Sequence, residues 1–263
     1  MRQVRAKKSL GQHFLTDLSI AERIAATVDV DTSLPVLEVG PGMGVLTQFL
    51  LERGRDLTVV ELDRDSVAYL KQRYPVELAD GRLIEGDFLQ MDLHAVYGDR
   101  PFAITGNYPY NISSQIFFKL LDNKDSVPLC TGMVQREVAQ RIAAPPGNRT
   151  RGILSVLLQA WYDLEYLFTV DEHVFSPPPK VKSGVIRLRR NSVTELGCDE
   201  RLFKTVVKTS FGQRRKTLRN SLRSLLPPGE ASTALLARPI FDLRPERLSV
   251  TDFIDLTNLI VER

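Results

Sequence analysis

The chain is poor in the residues that form metal sites or disulfide frameworks. Its 263 residues include two cysteines, Cys130 and Cys198, and three histidines that lie far apart in the sequence. Neither set has the spacing of metal ligands, so we expect no bound metal. Unpaired thiols are typical of a reducing compartment, and we therefore expect a cytoplasmic protein.

The sequence also lacks long apolar runs. None approaches the roughly 20 residues that cross a bilayer, and the first residues, MRQVRAKK, contain no apolar segment of a secretory signal. The net charge of +3 is small, so the placement of charges matters more than their sum. The basic start, with Arg2, Arg5, Lys7 and Lys8, fits an unstructured arm as well as an arm that contacts nucleic acid.

Strand-like and helix-like stretches alternate from residue 35 onward. This alternation predicts an α/β fold with a mostly parallel sheet and helices on both faces. Two later runs, 163–170 and 183–190, are predicted to pair as antiparallel neighbours at one side of the sheet, after a buried helix over 153–162. The earlier predicted strands are 35–39, 57–62, 81–87, 102–107 and 129–135, and helices are predicted over 17–29, 45–54 and 66–74, then from Ile112 and from Arg136.

The character of the sequence changes near residue 190. Residues 199–263 have helical patterns, so we predict an α/β domain over 1–190 and a small helical domain over 191–263. Residues 201–223 contain eight basic residues and no acidic one, interleaved with apolar positions. This pattern favours a packed domain that binds nucleic acid over a merely solvated face. The candidate RNA-binding residues are Arg214, Arg215, Lys216 and Arg219.

Side chains suited to a nucleoside follow three predicted strands. The first strand runs into EVGPGMG (38–44), where Gly40 and Gly42 would let a ligand approach the backbone, although the third glycine comes one position earlier than in the dinucleotide fingerprint. Glu61 can accept hydrogen bonds from ribose hydroxyls, and Asp87 can accept one from an adenine amine. Each feature alone could be a turn or a helix cap. Together they predict a nucleoside-bearing cofactor whose ribose has no 2′-phosphate.

The stretch GNYPYN (106–111) follows the fourth of these strands. The Asn107 side-chain oxygen, helped by a carbonyl such as that of Tyr108, can hold a planar amine and concentrate electron density on its nitrogen. Pro109 stiffens the turn, and Tyr110 offers a face on which a base can stack. The stretch predicts a clamp that presents an amino-bearing base to a methyl donor. For this motif alone, a plain turn with core aromatics is the alternative.

The chain resembles the bacterial KsgA (RsmA) family of small-subunit ribosomal RNA adenine N6,N6-dimethyltransferases over nearly its whole length. The glycine motif is shared by many methyltransferases, whereas the other motifs are together highly specific. The resemblance implies a Rossmann-like class I methyltransferase sheet that binds S-adenosyl-L-methionine, followed by a small all-helical domain. The motifs are KKSLGQHFL (7–15), EVGPGMGVLT, ELDRD, GDF, GNYPYNISS, VQREVAQR, FSPPPKV and FGQRRKTLRNSL (211–222).

The resemblance also implies roles for single residues. Asn107, Pro109 and Tyr110 would hold the target adenine, and Phe175 matches an aromatic residue that packs against the flipped base. Tyr108 stands where leucine is common, and its bulk would reduce the room for a second methyl group. His13 replaces a common asparagine, which could alter cofactor contacts. The cofactor residues implied are Gln12, His13, Leu15, Glu38, Gly40, Gly42, Glu61, Asp87 and Asn107.

The activity implied is the transfer of two methyl groups to each of two adjacent adenosines in the hairpin loop near the 3′ end of 16S rRNA. We expect a monomer that acts on the assembling small ribosomal subunit, where a loop base is flipped at least cost. The alternatives are dimethylation of 23S rRNA, methylation of DNA adenine, and an assembly or transcription factor without turnover. FGQRRKTLRNSL argues against the first, and the complete set of site residues argues against the last.

Overall fold

A computed structural model describes residues 4–226 and 230–261 of the chain, so Arg2 and Pro227–Pro228 lie outside the described residues. The chain divides into two compact units. The sheet unit contains the residues up to Ala139 together with Asp163–Arg190. The helical unit contains Gln140–Tyr162 together with the residues from Asn191 onward. No helix among the described residues is long and apolar enough to cross a membrane.

This division differs from the expected boundary because residues 140–162 belong to the helical unit. The fully buried Arg151 explains the difference. Its guanidinium donates to the carbonyl oxygen of Ala144 at 2.6 Å and to that of Leu248 at 3.2 Å. These hydrogen bonds join the segment to residues near the end of the chain, which local sequence patterns do not reveal.

Seven strands form the main sheet, and two short strands form a separate antiparallel pair. The strands are β1 (Phe14–Leu15), β2 (Val36–Val39), β3 (Leu57–Glu61), β4 (Leu83–Glu85), β5 (Ala103–Thr105), β6 (Leu129–Gln135), β7 (Tyr162–Val170), β8 (Phe175–Ser176) and β9 (Ser183–Arg190). The main sheet has the order β4-β3-β2-β5-β6-β9-β7, and β1 pairs with β8. Strands β2 to β6 are paired in parallel, and β9 runs antiparallel to β6. The predicted strands are all present, and the two late ones are neighbours at one edge.

Most helices begin where the sequence predicts them. Four helices begin after an aspartate whose side chain accepts hydrogen bonds from backbone N–H groups of the first turn, and these residues are Asp17, Asp63, Asp92 and Asp199. The short helix Leu93–Tyr97 was not predicted. The helices are α1 (Leu18–Ala26), α2 (Val45–Glu52), α3 (Arg64–Arg73), α4 (Leu93–Tyr97), α5 (Ser113–Asp122), α6 (Arg136–Ile142), α7 (Ile153–Gln159), α8 (Glu200–Gly212), α9 (Leu218–Ser221), α10 (Glu230–Leu236) and α11 (Val250–Val261), with 3₁₀ turns at Lys8–Leu10, Glu172–Val174, Arg223–Leu225, Pro239–Asp242 and Pro245–Arg247.

Each unit has an apolar interior. In the sheet unit, β2 is buried at every position, as expected for a central parallel strand that is covered on both faces. In the helical unit, α8 buries Phe203, Val206 and Phe211, and the Phe211 ring lies 6.1 Å from that of Phe253 in α11. The parallel pairing brings the carboxyl ends of β2, β3, β4 and β5 to one edge of the sheet, where ligands bind in open α/β sheets.

Candidate active site

A pocket lies at this edge of the sheet unit. Loops that follow the parallel strands line it together with residues 10–15, which precede α1. The structure therefore brings together residues that are widely separated in the sequence. The predicted site residues that line the pocket are Gln12, His13, Leu15, Glu38, Gly40, Gly42, Glu61, Asp87, Asn107, Pro109 and Tyr110.

The turn between β2 and α2 requires glycine. Gly40 and Gly42 have φ values of +68° and +57°, a region that side-chain-bearing residues rarely adopt. A Cβ atom on Gly42 would also lie 2.9 Å from the ring of Phe14. Both glycines line the pocket, and the close Phe14 ring leaves no room for a side chain at Gly42.

Glu61 is held by main-chain donors on both sides. Its Oε2 accepts a hydrogen bond from the Gly42 N–H at 2.9 Å, and its Oε1 accepts one from the Asp63 N–H at 2.8 Å. Burial raises the pKa of Glu61, and these two hydrogen bonds oppose the increase. Each carboxylate oxygen has a further lone pair, so the fixed carboxylate can still accept hydrogen bonds from a diol.

Two further acids occupy different environments. Glu38 is fully buried, accepts a 2.6 Å hydrogen bond from the Thr47 hydroxyl, and has its pKa raised to about 8 by burial. Asp87 accepts a 2.9 Å hydrogen bond from the Leu89 N–H and also lines the pocket. Asp87 thus closes a turn and does not cap a helix, and since one carboxylate oxygen suffices for the turn, the other can accept a hydrogen bond from a ligand.

The amide of Asn107 has a defined orientation. Its Nδ2 donates to the main-chain oxygen of His13 at 3.0 Å, and no described residue donates to its Oδ1. The amide oxygen is therefore available to accept a hydrogen bond from an amine. Tyr110 lies beside it, with its hydroxyl 2.5 Å from Ser183 Oγ and its ring 5.4 Å from the His13 ring.

Tyr108 packs largely in the core of the sheet unit. It is only 1% exposed, and its hydroxyl donates to the carbonyl oxygen of Thr131 at 2.6 Å. Its ring meets Phe117 edge-on and covers Gly132, where an added Cβ would lie 2.7 Å from the ring. Tyr108 is also among the residues that line the pocket, so its effect on the room for a second methyl group stays a prediction.

Phe175 lies in the core of the sheet unit, and its expected contact with a target base stays a prediction. Phe175 is 4% exposed and belongs to the apolar core with Leu15. The two residues are directly opposite each other in the β1–β8 pair, and residues in that relation place their side chains on the same face. The β1–β8 pairing therefore turns the ring inward, and the residue is not among those that line the pocket.

Two residues without a predicted role, Lys7 and Asp63, form a network at the rim of the pocket. The Asp63 side chain is 1% exposed and accepts hydrogen bonds from the ammonium of Lys7 and, at 3.2 Å, from Gln12. Both residues belong to motifs that carried the family resemblance. The pairing itself joins positions 56 apart in the sequence, and no local pattern marks it.

The candidate RNA-binding residues have unequal surroundings. Arg214, Arg215 and Lys216 are exposed, and none of the three forms an ion pair with a described residue. Arg219 instead donates to Asp242 at 2.5 Å and 3.1 Å. Three cations are therefore open to a polyanion, whereas Arg219 already has a carboxylate partner. In the described part of the chain, no three His, Cys, Asp or Glu side chains form a group that could hold a metal ion.

Sequence comparisons identify relatives over the whole length of the chain. The profile of a family described as "Ribosomal RNA adenine dimethylase" matches residues 3–260. The chain is 63% identical over 262 residues to "Ribosomal RNA small subunit methyltransferase A" of Bacteroides thetaiotaomicron, with 100% of this chain and 96% of the relative covered. It is 65% identical over 257 residues to the protein of the same name in Parabacteroides distasonis, with 98% and 94% covered.

Solved structures with a similar fold include other methyltransferases. A dimethyladenosine transferase from Plasmodium falciparum has a TM-score of 0.76 at 23% identity, over 93% of this chain and 96% of that one, which supports the fold alone. The 23S rRNA methyltransferase ErmE has a TM-score of 0.67 at 27% identity, over 92% of this chain and 99% of that one. The α/β methyltransferase fold predicted from the sequence is thus confirmed.

Proposed function

The chain belongs to the ribosomal RNA adenine dimethylase family, and on that premise we propose that it dimethylates the N6 amine of two adjacent adenosines in the 3′-terminal hairpin loop of 16S rRNA, with S-adenosyl-L-methionine as the methyl donor. The single observation that carries the proposal is the Asn107 amide, oriented at the same sheet edge as the Glu61 carboxylate. Relatives that are 63% and 65% identical bear a small-subunit name, which favours 16S over 23S rRNA.

The residues of the pocket fit a nucleoside-bearing methyl donor. Gly40 and Gly42 line the pocket, where their backbone would face the ligand without a side chain between them. Glu61 would accept hydrogen bonds from ribose hydroxyls, and Asp87 would accept one from the adenine amine. When bound, S-adenosylmethionine supplies an electrophilic methyl group on a sulfonium.

The clamp would act on the target base by position and electrostatics. Asn107 Oδ1 accepts an N–H of the amine, and the carbonyl of Tyr108 is a candidate for the other. This arrangement concentrates electron density on the nitrogen and fixes its direction. The Tyr110 ring provides a stacking face, for which base–aromatic contacts contribute about 1–3 kcal/mol. No base is required before the attack, because the amine is neutral.

The helical unit would contribute affinity for RNA. Arg214, Arg215 and Lys216 present cations to solvent, and phosphate contacts of this kind provide much of the sequence-independent binding of nucleic acids. The substrate we propose is the assembling small subunit in the cytoplasm, where the loop adenosines can be flipped from a hairpin at low cost.

The test uses the whole protein with labelled S-adenosylmethionine and small ribosomal subunits that lack the modification. The product nucleosides are then mapped by mass spectrometry. We expect N6,N6-dimethyladenosine in the 3′-terminal hairpin of 16S rRNA. Transfer to 23S rRNA or to DNA in parallel reactions, with none to the small subunit, would assign a different substrate to the protein. Tight subunit binding without any transfer would favour an assembly factor and overturn the assigned roles of the clamp residues.

A further inference from the structure

The segment Lys7–His13 is tied at its beginning to the loop that follows β3. The Lys7 ammonium contacts the carboxylate of Asp63 and, at 2.7 Å, that of Asp65. Gln12 reinforces this end, because its Oε1 accepts a hydrogen bond from the Lys7 N–H at 2.8 Å and its Nε2 donates to Asp63 at 3.2 Å. The same buried carboxylate thus holds both a charged and a neutral donor of the segment.

The other end of the segment is tied to the clamp. The main-chain oxygen of His13 accepts the hydrogen bond from Asn107 Nδ2. Gly11, at φ +63°, passes so close to Asn111 that an added Cβ would lie 2.6 Å from its Oδ1. The His13 ring makes a 2.8 Å hydrogen bond through Nδ1 to the carbonyl oxygen of Pro177. The orientation of the Asn107 amide therefore depends on where this segment lies.

The first attachment continues directly to the acid that would hold the ribose. The Asp63 N–H donates to Glu61 Oε1 at 2.8 Å, so the residue that binds Lys7 through its side chain also positions Glu61 through its backbone. A displacement of Lys7 would therefore be felt at Glu61 through one intervening residue.

The charges of this network compensate one another. Burial raises the pKa of Glu61, and the negative charge of Asp63 raises it further. Burial alone would raise the pKa of Asp63 as well, but hydrogen bonds from Lys7 and Gln12 outweigh burial and lower it. The Lys7 ammonium thus offsets the buried negative charge of Asp63 and favours the ionised form of that acid.

We infer that Lys7 is a positioning residue that holds the segment Lys7–His13 across the pocket, and that it thereby fixes both Glu61 for the cofactor and the Asn107 amide for the target base. This inference rests on the proposed function, because it names the residue that prepares the same site. At one end of the segment Lys7 would position the acceptor of a cofactor ribose, and at the other end the acceptor of an adenine amine. Lys7 itself touches neither group.

The experiment compares Lys7→Gln with the wild-type protein in two ways that need no turnover. Calorimetry measures the affinity for S-adenosylhomocysteine, and hydrogen exchange of the ligand-free protein measures the protection of residues 7–15. We expect about tenfold weaker affinity and faster exchange in this segment, since the variant loses a charge-assisted hydrogen bond to a buried carboxylate. Lys7→Arg keeps the charge and should recover most of both values.

Arg53→Gln is the matched control, because Arg53 forms a 2.5 Å ion pair with Asp29 elsewhere in the sheet unit, with the Arg53 side chain 30% exposed. The control should leave ligand affinity and the exchange of residues 7–15 unchanged. If Lys7→Gln did not fold, Asp65→Asn would test the same attachment through the exposed partner of Lys7, with a smaller loss in the same two measurements.

Unchanged affinity and unchanged exchange in Lys7→Gln would overturn the inference. A general loss of stability would look different, because it would lower the unfolding midpoint without selective exchange in residues 7–15. The activity assay tests the part of the inference that concerns Asn107. At saturating cofactor, kcat of Lys7→Gln should stay below the wild-type value because the Asn107 amide is less well oriented. If Lys7→Gln showed the expected loss of affinity but the wild-type protein methylated no rRNA, the proposed function would be refuted. The inference that Lys7 holds the segment Lys7–His13 would still stand.

Discussion

The two units of this protein hold their charged groups in opposite ways. In the sheet unit, Glu61 and Asp63 are buried, and each is bound by defined donors. In the helical unit, Arg214 and Lys216 stand in solvent without an ion-pair partner among the described residues. Buried charges have fixed directions and suit chemistry on particular atoms. Exposed charges act over longer distances and are screened by salt, which suits a polyphosphate.

Arg151 shows that the difference depends on surroundings and not on the sign of the charge. It belongs to the helical unit but is fully buried, and burial lowers its pKa to about 10. Its guanidinium donates to the neutral oxygens of Ala144, Gln159 and Leu248. A cation in this position joins segments of the unit, and it cannot meet a phosphate in solvent.

The largest effect is expected for Asn107→Ala. Loss of the oriented amide oxygen should lower kcat about 10²–10³-fold, the size found when one fixed polar group of an active site is removed. RNA affinity and its salt dependence should not change. Single-turnover kinetics and filter binding measure the two quantities. Asn123→Ala is the control, since Asn123 donates to Lys119 at the end of α5; near wild-type turnover in Asn107→Ala would remove this residue from the clamp.

The second-largest effect is expected for the triple variant that combines Arg214→Gln, Arg215→Gln and Lys216→Gln. If all three contact phosphates, the slope of log affinity against log salt should fall by roughly 2–3, with about tenfold to hundredfold weaker binding near physiological salt. Titrations of unmodified subunits at several salt concentrations measure this slope. Replacement of Arg64, Lys71 and Arg73 by glutamine removes the same net charge from α3 of the sheet unit. Equal losses in both triple variants would mean that net charge alone matters.

Glu38→Gln tests the buried side of the comparison by pH. Burial raises the pKa of Glu38 from 4.5 to about 8, so between these values the folded protein keeps a proton that the unfolded chain releases. Its contribution to stability therefore falls as pH rises from 5 to 8, by about 2 kcal/mol or more. Glu38→Gln should lose this pH dependence in urea unfolding. Parallel curves for the variant and wild type would show that Glu38 titrates normally.

The smallest effect is expected for Tyr108→Phe. It removes the hydroxyl that donates to Thr131, which should lower the free energy of unfolding by about 1 kcal/mol. The ratio of dimethylated to monomethylated adenosine should stay the same, because the substitution leaves the ring in place and the hydroxyl is buried against Thr131. Tyr97→Phe is a control at another buried tyrosine of the sheet unit. If Tyr108→Phe changed the methyl ratio and Tyr97→Phe did not, the Tyr108 hydroxyl would have a role in the pocket.

Much of the fold could be predicted because its signals are local. The predicted strand over 129–135 coincides with β6, and the predicted helix over 17–29 contains α1. The five-residue α4 was missed, since so short an element has no periodicity. The division into units differs from the predicted boundary at residues 140–162, where the hydrogen bond from Arg151 to Leu248 spans 97 positions, which no window of sequence covers.

The sequence by itself determined that the candidate site lies at the ends of the parallel strands, because strand alternation and parallel pairing bring these ends to one edge. The residues at this edge are Gly42, Glu61, Asp87 and Asn107. Only the tertiary structure decided which way Tyr108 and Phe175 point and what holds the rim of the pocket. Side-chain direction depends on strand register and on space left by distant glycines. The pairing of Lys7 with Asp63 likewise exists only after the chain has folded.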